Sequence, residues 1–139
     1  MNPSAKGRFD IQLEPQPLSP VADGTGLGRL SLNKTFHGDL EASSQGEMLS
    51  FRSSTQGSAG YVAMETVRGT LHGRNGTFVL QHSSTMTRGV PAQSIIVVPD
   101  SGTDALSGIT GSLVITIADG QHSYVFDYAL PEGHGGAHH

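Results

Sequence analysis

The chain contains no cysteine, which excludes disulfides, thiolate catalysis and cysteine-based zinc sites. It is also short of charge. Asp, Glu, Lys and Arg make up 14% of its 139 residues, well below the usual quarter or so, which argues against a charge-driven disordered chain. The 8 Lys and Arg against 12 Asp and Glu leave a formal net charge of −4. Basic residues cluster nowhere, so the electrostatic footprint of a nucleic-acid binder is missing. No apolar run is long enough to span a bilayer as a helix. Met1 to Phe9 is polar and lacks the apolar centre of a secretory signal,. The expectation is a cytoplasmic protein with neither nucleic acid nor membrane as partner.

Glycine, with 19 residues, fills the space that charge leaves, together with Ser and Thr. These residues favour turns and strands over helices. Apolar residues then recur at every second position. Phe9, Ile11 and Leu13 alternate with polar neighbours, as do Leu30, Leu32 and Phe36, and Tyr124, Phe126, Tyr128 and Leu130. Strict alternation is the mark of half-buried strands. Ile95 to Val98 is continuously apolar and reads as a strand covered on both faces. Clusters of Gly, Pro, Asn, Asp and Ser break the pattern at Glu14 to Asp23, Gly57 to Gly60, His72 to Gly76, Pro99 to Thr103 and Asp119 to Gln121,. About eight strands at this spacing predict a single antiparallel β-barrel over residues 1–132, with almost no helix. Residues 133–139 form a Gly/His-rich tail, expected to be flexible. The predicted core holds Phe9, Ile11, Leu30, Leu32, Phe36, Val67, Phe78, Leu80, Leu113, Ile115 and Phe126.

Strand parity turns into a question about what lines the barrel. Tyr61, Ala63, Glu65, Val67 and Leu71 share one face of a strand, and it is the more apolar face. It should point inward and carry Glu65 with it. Phe78 and Leu80 take His82 inward by the same rule. The turn between these strands sets the register. A two-residue loop at Arg74-Asn75 puts Glu65 diagonal to His82. A loop from His72 to Asn75 puts them opposite, and an Asn75-Gly76 turn puts them two steps apart. Lys34 belongs to the inward set Leu30, Leu32, Phe36. A buried Lys needs a carboxylate partner or loses its proton, and Glu65 is the candidate. Two readings of Glu65 stand side by side. It is a site acid whose pKa desolvation raises towards neutrality, working with His82, or a buried structural acid that anchors a cation.

Other patterns resemble chemistry less well. Gly24-Thr25-Gly26-Leu27-Gly28 looks like a phosphate cradle, but a strand follows it, so no helix N-terminus meets the phosphate. Ser31 and Lys34 have the spacing of a Ser/Lys acylase motif, yet on a strand they point to opposite faces. His37-Gly38-Asp39 is read as a surface strand end. His134, His138 and His139 sit in the tail, outside any ligand set. No metal site and no cofactor is expected.

Longer segments resemble a known family. Lys34-Thr35-Phe36-His37-Gly38-Asp39-Leu40-Glu41 is similar to its "KTFxGDLEG" segment. Gly69 to His82, running Gly-Thr-Leu-His-Gly-Arg-Asn-Gly-Thr-Phe-Val-Leu-Gln-His, resembles its "GTLxGRxGxFVLQH". Val97 to Thr103 resembles "VVPGSGTG", with Asp100 standing where the family usually has Gly. Tyr124 to Tyr128 is similar to its terminal "LDY" strand. The family is the bacterial domain of unknown function 3224, and the resemblance runs over residues 5–131. It implies a lipocalin-like barrel of the allene oxide cyclase type and places Glu65 where the family usually carries Glu. It implies no reaction.

The function expected from these observations is binding of a small apolar or amphipathic molecule inside the barrel, with isomerisation or cyclisation of that ligand as an extension. The alternative is an oligomeric scaffold with a filled core and no ligand. Whether the chain is an enzyme stays open. Glu65 and His82 are the acid/base candidates, and Lys34, Phe36, Tyr61 and Tyr128 are the candidate ligand contacts. The apolar run Ile95 to Val98 needs cover on two faces, and a single-layer barrel supplies one, so a homodimer or homotrimer is expected.

Overall fold

The computed structural model describes residues 3–131; the predicted tail with His134, His138 and His139 lies outside them. Eight strands follow one another in chain order: β1 (Ser4–Gln16), β2 (Gly28–Gly38), β3 (Leu40–Arg52), β4 (Ala59–Leu71), β5 (Arg74–Thr87), β6 (Val90–Val97), β7 (Thr110–Ala118) and β8 (Gln121–Ala129). Each pairs antiparallel with the next, and β8 returns to β1, closing the barrel. Closure removes every sheet edge. The predicted all-β barrel of eight strands is what forms.

Three two-residue turns explain much of the regularity. His72-Gly73, Arg88-Gly89 and Asp119-Gly120 all have positive φ at both positions, the geometry whose twist matches that of the flanking strands. The turn between β4 and β5 therefore falls at His72-Gly73 and not at the Arg74-Asn75 or Asn75-Gly76 positions weighed from the sequence. Asn75 and Gly76 belong to β5, opposite Thr70 and Gly69. Gly76 is needed there for close approach, because a Cβ would lie 2.3 Å from the Thr103 carbonyl oxygen.

The two ends of the barrel differ. One end is plugged. The β6–β7 connection folds across it with a single turn of 3₁₀ helix, Asp104–Leu106, which the strand pattern did not announce. Leu106 and Ile109 are buried against the cluster of Phe9, Phe36, Phe78, Tyr124, Phe126 and Tyr128. The Thr103 N–H donates to the Thr77 carbonyl at 2.9 Å, and the Thr77 N–H donates to Thr103 Oγ1 at 3.0 Å. Tyr124 Oη accepts from the Leu40 N–H at 2.9 Å and donates to the His37 carbonyl at 3.0 Å, clamping the β2–β3 turn. At the other end the inward-facing positions thin out. Leu30, Met48, Tyr61, Ser84 and Ile115 are half-buried there, and Leu13 is exposed.

The predicted core is buried apart from Ile11, Leu30 and Ile115, which are half-buried. The strand expected to need cover on both faces is covered on one within the single chain. Ile95 and Val97 point in, while Ile96 is 41% exposed on the outside of the chain. Among the described residues no helix is long and apolar enough to cross a membrane.

Candidate functional site

Lys34 on β2, Ser44 on β3, Glu65 on β4 and His82 on β5 are the buried polar and charged residues of the barrel interior. They arrive from four successive strands. Each occupies an inward parity position, so the pleat alone delivers them to the same space. Lys34 pairs directly with Ser44 across β2 and β3. Glu65 pairs with Gly46 on one side and with Leu80 on the other. His82 stands opposite Ala63, one inward step from Glu65 on the diagonal. None of the three registers weighed from the sequence is the observed one: Glu65 and His82 are diagonal, but with the offset opposite to that of an Arg74-Asn75 loop, because the turn lies earlier in the chain.

Glu65 is the hub. Its Oε2 accepts from Lys34 Nζ at 2.8 Å and from His82 Nε2, and its Oε1 accepts from Ser44 Oγ at 2.5 Å. Lys34 Nζ also sits over the Phe9 ring, 4.9 Å from its centroid, and 5.7 Å from that of Phe36. Ring faces of this kind attract an ammonium. Burial pushes the Glu65 carboxyl up, but the His82 hydrogen bond and the Lys34 charge outweigh it and take it down to about 2,. Of the two directions weighed from the sequence, the lowering by His82 and Lys34 prevails over the raising by desolvation. An ionised carboxylate only accepts hydrogen bonds, so His82 Nε2 carries the proton of that contact. The contact of His82 with Glu65 runs through Nε2, and the other ring nitrogen, Nδ1, is not among the buried polar atoms left without a partner.

One inward step beyond His82 on β5 stands Ser84, opposite Tyr61 of β4 and Gln93 of β6. Its Oγ is buried and has no hydrogen-bond partner, alone in this among the buried side-chain polar atoms of the described residues.

The six site residues named from the sequence separate into three places. Lys34, Glu65 and His82 form the network. Phe36 lies beneath it among the aromatics of the plugged end, 5.6 Å from the Phe9 and Tyr124 rings. Tyr61 stands on the open side. Tyr128 lies at the plugged end, stacked on Phe126 and hydrogen-bonded to His72 Nδ1 at 2.5 Å. Sequence reasoning missed Ser44, Ser84 and Gly46. Leu40-Glu41-Ala42-Ser43-Ser44-Gln45-Gly46 alternates too weakly in hydrophobicity to reveal which serine turns inward. Ser31 points away from Lys34 and contacts Gln16 and the Glu14 carbonyl instead. Among the described residues no three His, Asp or Glu converge to hold a metal ion.

A further concavity lies elsewhere. A groove of about 840 Å³ lies outside the barrel, between the β1–β2 loop at Pro17 and Leu18 and the outward side chains Leu49, Val62 and Met64. Arg29 at its rim bonds both Glu47 oxygens, at 2.6 and 2.9 Å, and the Pro17 carbonyl at 2.9 Å, which ties the loop to the sheet. The groove touches His82 but neither Lys34 nor Glu65. The charged groups of this groove, Arg29 and Glu47, are paired with each other.

The model of the protein family of unknown function DUF3224 matches residues 5–128. The crystal structure, at 1.84 Å resolution, of a protein of unknown function from the DUF3224 family of Shewanella oneidensis MR-1 is 47% identical. The match covers 94% of this chain and 98% of that one, with a TM-score of 0.88. No curated protein matches the chain.

Proposed function

The chain belongs to the DUF3224 family, and from that premise we propose that it is a binding barrel, taking a small apolar or amphipathic molecule into its open end above the Glu65 network. The asymmetry of the interior carries this reading. Aromatics and the 3₁₀ turn fill one end, charged and polar side chains cross the middle, and beyond them Leu30, Met48, Tyr61 and Ser84 face inward yet stay half-buried. Apolar walls with a few convergent polar groups are the usual make-up of a ligand site. Any isomerising or cyclising step would use His82 and not Glu65 as the proton acceptor. A carboxylate held near a pKa of 2 with three donors is a weak base, whereas its bond to Nε2 leaves Nδ1 as the basic nitrogen,.

One observation favours the scaffold reading. Glu65 has its donors from within the chain, as a pure structural anchor would. Native mass spectrometry of protein taken directly from cells separates the two when combined with an NMR titration of 1-octanol. A co-purifying small molecule, or octanol shifts at the Met48 methyl and Tyr61 ring, supports the binding barrel. A bare mass together with unmoved Met48 and Tyr61 signals supports the scaffold and sinks the proposal.

A further inference from the structure

The binding reading can be sharpened to a ligand class, and the inference rests on that reading. We infer that the ligand is neutral and carries a hydroxyl group, an apolar alcohol or phenol, whose oxygen bridges Ser84 Oγ and His82 Nδ1. The argument is an account of what the network has left to offer. Lys34 is the ammonium in the interior, and it is already paired with Glu65 at 2.8 Å. Glu65 has likewise given its two oxygens to Lys34, Ser44 and His82. His82 has spent its Nε2 proton on Glu65. The one carboxylate and the one ammonium of the cluster balance each other.

Two groups remain. The Nδ1 lone pair accepts, and the Ser84 hydroxyl both donates and accepts. They follow one another on the inward face of β5, at positions i and i+2,. Ser84 Oγ is buried without a partner, and a buried hydroxyl left unpaired costs free energy. A ligand hydroxyl supplies the partner that Ser84 lacks and suits the Nδ1 lone pair beside it. Its proton goes to Nδ1, and its oxygen accepts from Ser84. A carboxylate could accept from Ser84 but would face the Nδ1 lone pair with another lone pair, and its charge would find no free cation. An alkylammonium would find no free carboxylate. Either ion would lose hydration without recompense. The walls on this side, Leu30, Met48 and Tyr61, suit an apolar body.

The test uses three probes with one chain length: 1-octanol, octanoate and octylammonium. Each is titrated into the full chain at neutral pH, with NMR following the Met48 methyl, the Tyr61 ring and the His82 Nδ1 resonance. The expected result is octanol binding at least about tenfold more tightly than either ion, with a shift at His82 Nδ1. Ser84→Ala, which breaks no bond of the folded protein, should weaken octanol by about three- to tenfold and leave the ions unchanged. Octanoate or octylammonium matching octanol while moving Met48 and Tyr61 overturns the alcohol inference and leaves the binding barrel intact. Unchanged octanol affinity in Ser84→Ala overturns it too. Shifts confined to Val62 and Met64 would put the probes in the outer groove, and that result, like no shift from any probe, sinks the alcohol inference, and sinks the binding barrel too when the native mass is bare.

Discussion

Lys34 and Glu65 form their 2.8 Å ion pair across an intervening strand, since β2 and β4 are joined only through β3. The bridging strand contributes Ser44 to the same carboxylate and, at Gly46, no side chain at all. The pair is therefore a three-strand staple at mid-barrel.

Such a staple is costly to cut on one side. Glu65→Gln removes the charge and leaves Lys34 buried at 3% exposure without its partner. A loss of about 3–5 kcal/mol in urea unfolding is expected. Replacing both ends, Lys34→Met with Glu65→Gln, should recover most of that loss, because no charge is then stranded. If Glu65→Gln alone unfolds at the same urea concentration as the parent, the staple holds nothing.

The alternation of apolar residues made the barrel and the inward parity of Lys34, Glu65 and His82 legible in the sequence. Parity is a property of one strand, so one strand suffices to read it. Register is a property of two. It turned on whether His72-Gly73 or a neighbouring pair took the positive-φ turn, and Gly and Asn are plentiful from His72 to Gly76. Ser44 was illegible because its strand is polar on both faces. Ile96 is legible only in part: an unbroken apolar run asks for cover on both faces, and within one chain its outer side is exposed, as a single-layer barrel requires. The plug at Asp104–Leu106 depends on a loop crossing a barrel end, for which no local period exists.

Gly46 should tolerate nothing larger. A Cβ there would lie 1.9 Å from the Met64 carbonyl oxygen and 2.7 Å from the Glu65 Cα. Both are backbone atoms, so relief requires β3 and β4 to move apart at the staple. Gly46→Ala is expected to cost at least about 2 kcal/mol, the range of overpacked cores. A melting temperature within a degree of the parent would show that the strands have slack there.

The outer faces of β3 and β4 set an expectation for assembly. Leu49 and Val62 are cross-strand partners, and with Phe51 and Met64 they are each about half exposed: 45%, 51%, 47% and 47%. Contiguous apolar surface of this kind marks association. Light scattering at micromolar concentration should give a dimer or trimer mass. Val62→Glu, which alters only the outer face, should shift the population towards monomer. A monomer mass for the unmodified chain rules the assembly out.

Acid should weaken the fold through Glu65 in a definite window. Its carboxyl is held at about 2 in the folded barrel against an ordinary 4.5. A group whose folded pKa is depressed stabilises the fold above its unfolded value and loses that contribution as the pH falls through the folded one. The contribution is therefore complete above about pH 5, declines below it, and is gone near pH 2, amounting to roughly 3 kcal/mol for a shift of this size. Glu65→Gln lacks the group, so its stability should fall less steeply over the same window, and the two curves should converge in acid. The direct measurement is a carbon-13 NMR titration of the Glu65 carboxyl. A midpoint near 2 is expected. A midpoint at or above 4.5 would mean that burial outweighs Lys34 and His82, and Glu65 would then be a proton donor within reach of neutral pH rather than the fixed charge of the staple.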